Sequence, residues 1–69
     1  MNKEQIIAAI ILATGKKVAP LSKEKGYTKA IFYRVINGEV KKSPIRQMIS
    51  DIIDRPINEI WPESAEEGK

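Results

Sequence analysis

The stretch from Pro20 to Gly38 is the tightest constraint on how this chain folds, because proline and glycine cut it into two runs of helical length around a short turn. Proline has the fixed φ that suits the first turn of a helix, and glycine readily takes the positive φ that ends one. Local chemistry therefore predicts a short helix over Pro20 to Lys25, ending at Gly26, and a second over Lys29 to Asn37, capped by Thr28 and stopped by Gly38. Two helices joined by so short a turn cross at ~90–120° only with small and apolar residues at fixed points. Leu21 is placed to face inward from the first helix, Ser22 is small enough to let the second approach, and Tyr27 supplies an apolar plug for the turn. Phe32, Val35 and Ile36 share the inward side of the second helix, which leaves Thr28, Lys29, Ala30, Tyr33 and Arg34 outward. Lys25 stands just before the turn glycine, where an apolar residue is usual. Snorkelling would leave its stem in the core and its ammonium in water.

The flanking segments read as further helices. Asn2 and Gln5 form a capping-box pattern ahead of Ile6, Ile7, Ile10 and Ile11, predicting a helix over Lys3 to Thr14 that stops at Gly15. The continuous apolar run from Ile6 to Ala13 is far shorter than the ~20 residues that cross a bilayer, and is expected to be core rather than a span or a secretory signal. Ser43 and Pro44 make a strong cap and first-turn pair, after which Ile45, Ile49, Ile52 and Ile53 recur at helical spacing. Pro56 closes that helix, and Ile57 to Trp61 reads as one more helical turn capping the core. No segment alternates like a strand. The expectation is an all-α bundle of four to five helices with a helix-turn-helix, one domain over residues 1–62, and a flexible charged tail over 63–69.

Composition narrows the chemistry. The chain has neither cysteine nor histidine, which removes disulfides, thiolate nucleophiles and the commonest general base and metal ligand, so neither an enzyme nor a cofactor is expected. A disulfide-free chain with 42% apolar residues fits a reducing cytoplasm. The modest net charge hides a polarity: residues 1–48 carry ten basic and three acidic side chains, and residues 49–69 carry two and six. Such polarity is the footprint of a domain that turns one face to phosphates.

These features converge on double-stranded DNA. An outward face of Thr28, Lys29, Ala30, Tyr33 and Arg34 suits the major groove, where Arg and Lys bond guanine O6 and N7 and the methyls of Thr and Ala meet thymine. Lys16, Lys17, Lys23, Lys41, Lys42 and Arg46 flank that face and are the candidate phosphate contacts. For any one of these cations a solvated surface charge explains as much; for the set it does not. Ile31 lies at the shoulder of the face, with packing against the neighbouring helix and contact with DNA as equal alternatives.

Leu21-Ser22 through Gly26-Tyr27, and then Gln47-Met48-Ile49 through Pro56 and Glu59-Ile60-Trp61-Pro62, resemble the Ner-type regulators, small DNA-binding repressors of Mu-like transposable phages and their bacterial relatives. The resemblance covers about residues 5 to 63. It implies a lambda-repressor-like bundle acting on a phage or prophage operator in the cytoplasm, at the nucleoid, with Thr28 to Arg34 as the recognition segment. A homodimer on the operator is one arrangement compatible with it. The alternative of another class is a protein-interaction module, antitoxin- or anti-repressor-like, holding a partner through the first helix or the Trp61 region.

Overall fold

A computed structural model describes residues 1–62 of the chain, and within them five helices follow one another with no strand. They are α1 (Lys3–Thr14), α2 (Val18–Glu24), α3 (Lys29–Ile36), α4 (Pro44–Ile53) and α5 (Ile57–Ile60). The expected tail over 63–69 lies outside the described residues. No single described helix is long and apolar enough to cross a membrane.

Side chains start three of these helices by accepting the orphan N–H groups of the first turn. Asn2 Oδ1 accepts from the Gln5 N–H at 2.8 Å, and Gln5 Oε1 accepts from the Asn2 N–H at 2.8 Å, so the capping box closes in both directions. Thr28 Oγ1 accepts from the Ile31 N–H at the start of α3, and Ser43 Oγ from the Ile45 N–H at the start of α4. The ends of α2 and α3 share one device. After α2, the Gly26 N–H reaches the Lys23 carbonyl and the Tyr27 N–H the Ser22 carbonyl; after α3, the Gly38 N–H reaches Val35 and the Glu39 N–H reaches Arg34. Both are Schellman stops, which need a left-handed residue, and Gly26 and Gly38 have φ of 85° and 83°.

Two expectations about these elements need correction. The second helix begins at Val18 and not at Pro20, so the proline sits in the third helical position. None of the first N–H groups has an intrahelical partner, so a proline is tolerated there. Starting earlier also delivers Val18, which is fully buried, to the core. Nor is the run Ile6 to Ala13 core throughout: Ile6 and Ile10 are buried, whereas Leu12 is 87% and Ile11 39% exposed. At ~100° per residue, eight consecutive apolar side chains go right round a helix, and only one side of α1 has a neighbour.

The buried cluster draws on every helix: Ile6 and Ile10 from α1, Val18 and Leu21 from α2, Phe32, Val35 and Ile36 from α3, Ile45 and Ile49 from α4, and Ile60 from α5, with Trp61 closing it. The central position of α3 in this cluster matters for function. With Phe32, Val35 and Ile36 committed inward, the rest of its circumference is held outward in a fixed orientation.

Candidate nucleic-acid interface

The unit that orients α3 is built from the turn outward. Ser22 is fully buried, and its hydroxyl donates to the Ala19 carbonyl at 2.8 Å, so its polar side chain is satisfied inside the core. Gly26 carries the positive φ, and Tyr27 is half-buried with its ring 6.0 Å from that of Phe32, fastening the turn to the core of α3. Lys25 does not enter the core. It is exposed at the end of α2, and its backbone N–H serves the Leu21 and Ser22 carbonyls. Tyr27 supplies an apolar contact of the turn, while Lys25 stays in water and adds one cation to this surface.

Four of the five residues expected to read bases are exposed: Thr28 as the cap, Lys29 in the first turn, then Ala30 and Arg34. Ala30, Tyr33 and Arg34 stand at i, i+3 and i+4, so they share one stripe opposite Phe32 and Val35. Tyr33 is only half-outward, since part of its ring packs on the core cluster. Ile31, on the other shoulder, is partly buried against the same cluster.

The phosphate candidates divide. Lys16 and Lys17 are exposed in the loop before α2, Lys23 in the last turn of α2, and Lys41 and Lys42 in the loop before α4. Lys41 borders an open cleft of about 310 Å³ with Asn2, Lys3, Asn37 and Trp61, which sets it at the C-terminal end of α3, away from Lys29. Lys16 is already engaged: from the α1–α2 loop its ammonium donates to the carboxylate of Glu24, the last residue of α2. That hydrogen bond first, then the charge of Lys16 and in smaller part that of Lys25, hold the Glu24 carboxyl below the usual carboxylate range. The partnership spans eight residues and joins a loop to the end of α2, so no helical spacing reveals it.

Arg46 is not part of this surface. It is 3% exposed, its Nε donates to the Val40 carbonyl at 3.2 Å, and its guanidinium carbon lies 4.6 Å from the centre of the Trp61 ring. A group so enclosed cannot reach a phosphate, and the expectation that it does is withdrawn. The reason is local: residues 45, 46, 49 and 50 form the buried side of α4, and the side chain at 46 is long enough to thread under Trp61.

Comparison with protein-family models, with curated proteins and with solved structures finds no match to this chain.

Proposed function

We propose that the chain is a sequence-specific double-stranded DNA-binding regulator in which α2, the turn at Gly26 and α3 act as a helix-turn-helix, with α3 laid in the major groove. The observation that carries this reading is the α2–α3 unit itself. A buried serine, a left-handed glycine and a tyrosine whose ring packs at a tilt on Phe32 of α3 fix the second helix so that Thr28, Lys29, Ala30 and Arg34 all face solvent. A rigid helix offering two cations, two methyl-bearing short side chains and a phenol matches the donor, acceptor and methyl pattern of the major groove. Arg34 and Lys29 would bond guanine, Thr28 and Ala30 would meet thymine methyls, and the Tyr33 hydroxyl would bond a base edge or a phosphate. Lys16, Lys17, Lys23, Lys41 and Lys42 would grip the backbone. Within this reading the lambda-repressor-like arrangement and a repressor role of the Ner type follow from the resemblance in the sequence.

The direct test is selection of bound sequences from random duplexes, followed by titration of the enriched site at low and physiological salt. A recurring motif whose affinity falls steeply with salt is the expected result. A pool that stays random, together with a flat salt response, would remove the proposal.

A further inference from the structure

We propose that the outward side of α1 docks a second copy of this chain, α1 against α1 and antiparallel about a two-fold axis. Leu12 and Ile11 are the large hydrophobic side chains left exposed among the described residues, and both lie on this helix. Glu4, Ala8 and Leu12 succeed one another at i, i+4 and i+8, so they form one stripe with Ile11 beside it, opposite the buried Ile6 and Ile10. Small and large alternate along that stripe. A two-fold axis on the outward side, at the level of position 10 along the helix, sets Ala8 of one copy under Leu12 of the other, and the symmetry repeats the contact, as a self-complementary two-fold interface requires.

Charge selects the same arrangement. Glu4 opens the stripe, and Lys16 and Lys17 follow directly after the helix ends. The antiparallel pairing that matches Ala8 to Leu12 also carries Glu4 to the partner's Lys16, which then lies between that carboxylate and its own Glu24. A parallel pairing would set Glu4 against Glu4.

Size sets the strength. Three helical turns of side chains cover a few hundred Å², well under the ~800 Å² per partner of a standard stable interface. The association is therefore weak in free solution, with a dissociation constant of roughly 0.1–1 mM. Two copies held on one larger ligand would meet at an effective concentration in that range.

Sedimentation equilibrium of the full chain without DNA tests this separately from the proposed function. From about 10 μM to 1 mM, a monomer–dimer equilibrium is expected. Leu12→Glu should remain monomeric throughout, with unchanged circular dichroism and melting midpoint because Leu12 makes little contact within its own fold. Glu4→Lys should weaken dimerisation several-fold by repelling the partner's Lys16. A wild-type chain monomeric at 1 mM, or a Leu12→Glu variant that dimerises like wild type, overturns the proposal. A Glu4→Lys variant that pairs as tightly as wild type overturns the antiparallel register.

Discussion

The guanidinium of Arg46 sits 4.6 Å from the centre of the Trp61 ring, tying the first turn of α4 to the residue that ends α5. Each partner also reaches further: Arg46 Nε donates to the Val40 carbonyl in the preceding loop, and Trp61 Nε1 to the Ile36 carbonyl at the end of α3. One stacked pair therefore fastens three helix ends and a loop. A desolvated cation–π contact is worth ~2 kcal/mol and a hydrogen bond to a charged group ~1.5–3 kcal/mol. Arg46→Ala should then cost about 2–3 kcal/mol, lowering the melting midpoint by on the order of 10 °C in a domain of this size. Arg46→Lys should recover little, because an ammonium lacks the planar face that stacks on indole. If both variants melt like wild type while losing DNA affinity, the side chain belongs to the surface after all.

The left-handed residues give two stability effects of opposite sign. A Cβ built on Gly26 meets nothing within 4 Å, so Gly26→Ala isolates the backbone term at φ 85° and should destabilise by ~1 kcal/mol. Gly26→Val should cost more, since β-branched residues tolerate positive φ worst. Asp54 ends α4 at φ 55° without being glycine, and as the C-cap residue it places an acidic side chain at the negative end of the helix dipole. Asp54→Gly should relieve both and raise the melting midpoint by a few degrees. Thermal melts of the three variants give the order; a Gly26→Val protein as stable as wild type would mean that the turn is not under conformational demand.

What was legible in the sequence is what short-range chemistry controls. Asn2, Thr28 and Ser43 start their helices as capping rules require, and Gly15, Gly26 and Gly38 stand in left-handed stops. The outward stripe of α3 follows from the spacing of Phe32, Val35 and Ile36 and needs no tertiary knowledge. Three features escaped because they depend on partners distant in the chain. Arg46 reads as one more surface cation until Trp61, fifteen residues later, folds over it. Lys16 reads as free until Glu24 meets it. The α1 stripe reads as core because composition says that eight residues are apolar, and only packing says which of them have neighbours.

The Lys16–Glu24 pair leads to a prediction about binding. Under the proposed reading the carboxylate neutralises a cation that would otherwise be available to phosphate; it is ionised at neutral pH, and its lowered pKa extends that ionisation further into acid. The pair's stabilising contribution is whole at neutral pH and is lost only as pH falls through and below the usual carboxylate range. Glu24→Gln should raise affinity for any duplex at low salt by roughly two- to five-fold and steepen the salt dependence by a fraction of one phosphate. With Arg46 out of the set, the wild-type log–log slope should correspond to roughly three to five phosphates at about −0.9 each. Titrations in a salt series check both quantities, and an affinity indifferent to Glu24→Gln would take Lys16 out of the phosphate grip.

Under the proposed reading, Arg34 and Lys42 would separate reading from gripping, because one projects from the last turn of α3 and the other from the loop that follows it. Both are exposed, and the backbone carbonyl of Arg34 holds the α3 stop whatever its side chain is, so neither alanine variant should disturb the fold. A bidentate contact from a guanidinium to guanine discriminates one base pair, so Arg34→Ala should cost ~1–3 kcal/mol on the selected site and relax preference at a single position. A lysine that meets phosphate carries no sequence information, so Lys42→Ala should weaken every duplex alike and reduce the salt slope by about one. The two substitutions must therefore differ in kind as well as in size. Each variant is to be titrated against the selected duplex and a scrambled one at two salt concentrations. If Arg34→Ala weakens both duplexes equally, Arg34 is itself a phosphate anchor, and base reading falls to Thr28, Lys29, Ala30 and Tyr33.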